Sequence, residues 1–349
     1  MPSHVAHLLF AESVASSLGV EELTMPPLRS FITLGAQGPD IFYHNQRRRP
    51  TGLAYGSLMH RHGYGTTVSW MWEWASREES PLTSWIGAWV AGFASHAILD
   101  RFTHPFINHF SAWLDPDDPA SARYRSMHPF MERLIDLALL DHFKGKHPND
   151  IDFFGSVDCG PEPPAEWIRM LAYALRHTYP KAAHDKLLDQ RLTCAYLDCR
   201  GYYQFTNAVD RPYLEQGLAR EDQGDIKSRW LTIVHPPNLP SDLDTLNMEN
   251  RQWCHPCNHA EVSTASFMDL YWEALSEAVR AIAPVIELWG ALPTEHGRLR
   301  IAAAVADWNL SDGRETERPC RKRHANPLPL YELQERIRRS IREGKGGLV

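Results

Sequence analysis

The sequence has no run of about 18 uninterrupted apolar residues, the length a helix needs to cross a bilayer, and so no membrane span is expected. Met1 to Gly19 has no basic start, no continuous apolar stretch and no small-residue cleavage site; it carries His4, His7 and Glu12 instead. It does not read as a signal peptide, and the expected location is the cytoplasm. Cysteine is sparse, six residues in 349, and without export reduced thiols are expected. An excess of positive charge is missing too. The net charge of -7 argues against a generally basic nucleic-acid binder. That charge is uneven, because residues 314–349 hold ten Lys/Arg against five Asp/Glu, a net of +5. Internal repeats and low-complexity segments are absent. Strand-like alternation is absent as well, except for a short run from Trp230 to Val234 that reads as an edge piece.

What remains is helical periodicity over most of the chain. Ser3 can cap a first helix in which Val5, Leu8, Leu9, Val14 and Leu18 recur at helical spacing, ending at Gly19. A short helix is predicted over 27–34, followed by the turn chemistry of Gly35-Ala-Gln-Gly-Pro-Asp40. Another helix covers 55–77. Ser80-Pro81 reads as the opening of a helix that runs to His104, where Pro105 interrupts it. Asp118-Pro119 opens the next, with Pro129 restarting it before Phe130 to Phe143. Further helices are predicted over 164–178, 181–207, 262–289 and 331–343, with loops over 144–163 and 235–260.

Eighteen histidines are about twice the number expected for this length, and no tag-like run accounts for them. Position decides their meaning. His96, Asp100 and His104 step by four along the most strongly helical segment, so they form one ridge of nitrogen and oxygen donors. Their neighbours Trp89, Val90, Phe93, Ile98, Leu99 and Phe102 are apolar, which places the ridge in a buried helix. Buried polar groups need partners, and a metal would satisfy all three. A lone His-x-x-x-Asp is more often a hydrogen-bonded core pair, but here there are companions. His128 and Glu132 repeat the four-residue step on the following helix; His60, Asp40 and His7 lie on other segments. Facing helices that donate histidines and carboxylates inward are a common way to build a multinuclear site.

Five segments together resemble the zinc-dependent phospholipase C family, which is related to the single-strand-specific fungal zinc nucleases. They are Pro-Ser-His-Val-Ala-His-Leu-Leu-Phe, Leu-Gly-Ala-Gln-Gly-Pro-Asp-Ile-Phe, Leu-Met-His60, Gly-Phe-Ala-Ser-His-Ala-Ile-Leu-Asp-Arg-Phe-Thr-His-Pro and His128-Pro-Phe-Met-Glu132. The likeness covers roughly residues 1–140, with a weaker echo from Trp253 to Leu275, and is nearest to intracellular bacterial members. It implies an all-α, multi-helix phospholipase C/nuclease-like bundle with a metal cluster between facing helices. It also implies two or three zinc ions. Asp40, His60, His96 and Asp100 would hold one, and His104, His128 and Glu132 a second. His7 would hold a third, with Asp100 bridging. The relatives complete that third zinc with a free amino terminus; His4, or the amine of Pro2 once Met1 is removed, would stand in for it here. The implied activity is hydrolysis of phosphoric esters by zinc-bound hydroxide, with Asp40 and Asp100 as the catalytic carboxylates. The substrate would be a phosphodiester, phospholipid among the candidates. The rivals are a single-strand nuclease, under which alone nucleic acid is a partner, and a non-catalytic zinc-binding helical protein.

Other features carry two readings each. Trp70, Trp72, Trp74, Trp85 and Trp89 read first as core, and second as an aromatic wall for a base, a cation or an acyl chain. Cys254-His-Pro-Cys257 has a zinc-ligand spacing but no second cysteine pair. His62 reads as a surface or supporting residue. The expected division is a helical domain over 1–310, with metal ligands in 1–135, and a basic extension over 311–349, in which a Pro/Arg-rich boundary over 311–329 precedes a basic helix. The arginines of that extension, Arg336, Arg338, Arg339 and Arg342, read as a solvated helix face rather than a lipid- or phosphate-binding one.

Overall fold

The computed structural model describes residues 4–112, 119–146, 150–207, 232, 235–236, 238–316 and 318–343. Over these residues the regular structure is helical except for one two-stranded hairpin, which makes it an all-α protein. The helices, numbered here in chain order, are α1 (His4–Ser17), α2 (Arg29–Ala36), α3 (Leu53–Arg61), α4 (Tyr64–Arg77), α5 (Trp85–Ser111), α6 (Met127–Lys144) and α7 (Phe153–Val157). They continue as α8 (Ala165–Thr178), α9 (Pro180–Ala183), α10 (Leu188–Thr206), α11 (Phe267–Glu287), α12 (Glu295–Val305) and α13 (Leu330–Arg342). The hairpin pairs β1 (Trp253–His255) with β2 (Asn258–Ser263) in antiparallel register.

The long helix α5 is the centre of the fold, with α1, α2, α4, α6 and α11 packed around it. It is apolar on nearly every face, and Trp89, Phe93, Ala97 and Phe106 are fully buried. A helix apolar all round belongs in the middle of a core. Its start is set by Ser84, whose hydroxyl accepts from the Gly87 N–H, rather than by Ser80. Nor does Pro105 end it. Proline removes one backbone bond at about 3 kcal/mol, and the surrounding burial of Ile98, Leu99, Phe106 and Ile107 outweighs that loss.

Several predicted boundaries shift for identifiable reasons. The segment 55–77 is two helices, broken at Gly63, whose φ of 76° a helix cannot contain. Pro129 lies in the first turn of α6, where its missing N–H costs nothing, and a 3-10 stretch over Pro119–Ser126 precedes it. The predicted helix over 181–207 is divided into α9 and α10. The predicted loop over 144–163 contains α7, and the loop over 235–260 gives way to the hairpin. Helix α12 was not predicted at all. The Ser3 cap and most of the Trp230–Val234 run lie outside the described residues.

The C-terminal segment lies against the same helices. The Leu310 N–H donates to the His60 carbonyl, and those of Asn326 and Leu328 donate to the carbonyls of His109 and Phe110. Leu330, Leu333 and Ile337 bury one face of α13 in the core, while Arg336 pairs with Asp242 and Arg338 with Glu335 on the other. No helix among the described residues is long and apolar enough to cross a membrane.

Candidate metal centre

The ridge on α5 faces inward. His96 is fully buried and Asp100 nearly so. The 3-10 turn Gly38–Phe42 brings Asp40 across from α5, and α3 brings His60. Donor atoms of these four side chains lie within 4.8 Å of one another. His60 Nε2 stands 3.0 Å from Asp40 Oδ1, and His96 Nε2 stands 3.1 Å from Asp100 Oδ2 and 3.6 Å from Asp40 Oδ2. Gly38 is the hinge of this arrangement. Its φ is +54°, and a Cβ there would lie 2.4 Å from His96 Cγ, so the turn closes on the imidazole only because glycine has no side chain.

One turn further along α5, His104 meets His128 and Glu132 of α6 in a second group. His128 Nε2 is 3.0 Å and His104 Nε2 3.7 Å from Glu132 Oε1. This group is the more open one, and with Asp40 and His60 it lines a cleft of about 340 Å3. His7, on α1, stacks on His96 with ring centres 4.2 Å apart, and its Nε2 is 3.2 Å from Asp100 Oδ1. Asp100 is therefore the shared member, with one oxygen toward His7 and the other toward His96.

The far side of each ring explains what the near side is for. His60 Nδ1 meets the Gly56 carbonyl at 2.8 Å, His96 Nδ1 the Ala36 carbonyl at 2.9 Å, His104 Nδ1 the Leu310 carbonyl at 2.6 Å and His128 Nδ1 the Asn108 Oδ1 at 3.0 Å. An oxygen acceptor at Nδ1 places the proton there and leaves the Nε2 lone pair pointing at a carboxylate. Two lone pairs face each other unless a proton or a cation lies between them. His96 Nε2 and Asp100 Oδ2 are both buried, and neither makes a hydrogen bond. Buried polar atoms in that state call for a partner, and the donor set of imidazole and carboxylate fits a divalent metal. These buried His/Asp/Glu groups can hold metal ions.

Without metal, the charges are held by each other. Burial raises the Asp100 carboxyl, but His104 and His96 outweigh it and hold it well below the usual range. Glu132 is lowered too, with His128 overcoming its burial. His104 is pushed up to about 9, the Asp100 and Glu132 carboxylates prevailing over burial, whereas burial takes His128 down to about 4.

The cleft has members that spacing alone did not reveal. Tyr43 lines it, its hydroxyl pushed up to about 12 by burial and by Asp40. Asn108, Ser311 and Lys322 line it as well. Lys322 Nζ donates to Asn108 Oδ1 at 2.6 Å, and burial lowers the ammonium to about 8.

His4 belongs to neither metal group. Its ring lies among His44, Tyr202, Tyr203 and His235, and its backbone N–H donates to Asp136. Pro2 lies outside the described residues. His62 caps α3 beside Tyr179, away from the cleft. Trp72, Trp74 and Trp89 are core, and Trp70 lies under Arg298 at 4.1 Å, so no tryptophan wall faces the metal groups among the described residues. The expectation of reduced thiols fails at one pair. Cys257 and Cys320 form a disulfide, which occupies the sulfurs that would otherwise join Asp312 in a third possible metal group. Cys254 instead sits 3.4 Å from the His324 carbonyl.

No family model matches the chain, no curated protein matches it, and no solved structure matches its fold.

Proposed function

We propose that this protein is a zinc-dependent hydrolase of phosphoric esters, a phospholipase C-like phosphodiesterase. The observation that carries the reading is a buried four-ligand group beside an open three-ligand group on one cleft. Structural zinc sites are closed by four protein ligands, whereas catalytic ones keep a position free. Asp40, His60, His96 and Asp100 would hold one zinc, and His104, His128 and Glu132 a second. His7 with Asp100 offers part of a third. Zinc bound there supplies Lewis acidity toward a phosphoryl oxygen and brings the pKa of water to about 7.

The chain's own residues do the rest. Asp100 and Asp40 stay ionised and fix the geometry of the reacting centre from opposite sides. The Leu310 carbonyl and Asn108 hold His104 and His128 in orientation. Tyr43 keeps its proton and can donate it in a hydrogen bond to a substrate oxygen. Apart from the imidazoles that would be taken up by metal, Tyr43 is the single ring in the described lining, so the nuclease reading, which needs stacking surfaces for bases, draws no support from it.

The test is zinc content per chain by elemental analysis, for wild type and Asp100→Ala, followed by hydrolysis of bis(p-nitrophenyl) phosphate. Two or three zincs are expected in the wild type, with loss of at least one in the variant and a fall in hydrolysis of about a hundredfold or more. Equal zinc in both proteins would mean that Asp100 is a core residue and no ligand.

A further inference from the structure

We propose that Lys322 is the anion anchor of the cleft, favouring phosphoric esters that bring a second negative charge, on the phosphoryl group or beside it, and disfavouring those that end in a quaternary ammonium. The inference rests on the phosphoester reading above and names its substrate class.

Lys322 arrives from the C-terminal segment, 214 residues from its partner Asn108. Asn108 Oδ1 accepts from Lys322 Nζ at 2.6 Å and from His128 Nδ1 at 3.0 Å, while Asn108 Nδ2 donates to the Ser311 carbonyl at 2.9 Å. The ammonium is thereby held one side chain away from the open metal group. Orienting Asn108 needs only a neutral donor, so the charge is surplus to that task. An ammonium has three donors, and one is used here. Among the described residues no carboxylate lies within ion-pair distance of it, and the residue is half-buried. Asp312 and Glu132 act on it only from beyond ion-pair distance, and Glu132 would be taken up by metal, so a partly desolvated cation with no direct ion pair is left to be relieved by an incoming anion.

The charge of the surroundings points the same way. The three carboxylates of the site, Asp40, Asp100 and Glu132, would all be turned toward metal. None of them is left to receive a cationic head group. A quaternary ammonium is usually received on aromatic faces, and among the described lining residues only Tyr43 offers one outside the metal groups. A phosphomonoester dianion, or a diester with an anionic head group, meets metal on one side and Lys322 on the other.

Three zinc-loaded full-length proteins decide it: wild type, Lys322→Gln, which keeps an N–H for Asn108 but loses the charge, and Lys322→Arg, which keeps both. Calorimetry with inorganic phosphate is the first readout, with zinc content measured alongside. Lys322→Gln is expected to bind phosphate about tenfold more weakly or worse, with Lys322→Arg close to wild type. The second readout is the kcat/KM ratio of p-nitrophenyl phosphate to p-nitrophenyl phosphorylcholine. That ratio should fall about tenfold in Lys322→Gln, through KM. A third uses wild type alone, so it does not depend on how a variant folds: phosphate should protect Lys322 from reductive methylation, read by mass spectrometry. Equal phosphate affinity in all three proteins, or no protection, would overturn the proposal. Lys322-dependent phosphate binding without hydrolysis of either ester would instead sink the hydrolase reading and leave the anchor standing.

Discussion

His104 must choose between a proton and a metal. In the metal-free protein its imidazole is pushed up to about 9, because the Asp100 and Glu132 carboxylates outweigh its burial. A raised folded-state pKa contributes stability that is complete below the unfolded value of 6.5 and is lost as pH rises toward 9. Asp100, Glu132 and His128, all lowered, titrate well below this window. Lys322, brought down to about 8, acts in the opposite sense from there upward. The metal-free protein should therefore lose about 2 kcal/mol between pH 6.5 and 8. Thermal melts in chelator should show the decline, and zinc affinity should climb over the same range as the competing proton leaves. A flat metal-free profile would mean that His104 carries no extra proton. The four-residue steps of His96, Asp100, His104, His128 and Glu132 made these residues visible in the sequence, because a helix converts that spacing into a shared face. Asn108, Tyr43 and Lys322 have no such signature; a lone lysine 214 positions from its partner is placed by tertiary folding alone.

The helices α1 and α6 are joined by one carboxylate. Asp136, one turn beyond Glu132 on α6, accepts the N–H groups of His4, Val5 and Ala6. It also pairs with Arg133 and His235, all with little exposure. A helix start carries unsatisfied donors and partial positive charge, so a buried anion there serves as its cap. Asp136→Ala would remove the carboxylate that pairs with Arg133 and His235 and leave those backbone donors uncapped, at a cost of about 3–5 kcal/mol, and would free α1 to carry His7 away from Asp100. Lowered unfolding temperature together with a lower metal stoichiometry is expected. A variant that melts earlier yet binds the same metal would show that α1 is dispensable to the site. At this scale the sequence was legible where apolar spacing was dense, as in α5, α8 and α11. It was not where burial is thin. Helix α12 buries only Gly297, Ile301 and Val305, so its period is faint, although Thr294 does cap it. Strand β2 is largely exposed and polar, with no alternation to read. Pro105 misled for the opposite reason, since α5 is buried so completely that packing overrides the local penalty.

Across the whole molecule, the C-terminal segment is fastened at several points, one of them covalent. The Cys257–Cys320 bond joins the hairpin to the chain two residues before Lys322, across a separation of 63 residues. Closing a loop of that length stabilises by about 4 kcal/mol in the chain-entropy view. Reduction, or Cys320→Ser, should lower the unfolding midpoint in denaturant accordingly. An unchanged midpoint would show that the two sulfurs are not bonded in solution. None of this was readable from Cys254-His-Pro-Cys257, because the partner of Cys257 is not the cysteine three residues before it but one 63 residues further on, with no spacing signal to link them. The Leu310 carbonyl that orients His104 adds a consequence in time. A ribosome adding about 5–20 residues each second completes Glu132 roughly 10–35 seconds before Leu310. During that interval the emerging helices can gather the buried ligands, while the open group still lacks the oxygen that aims its first histidine. That group is complete only once the segment around Leu310 has folded back against α5.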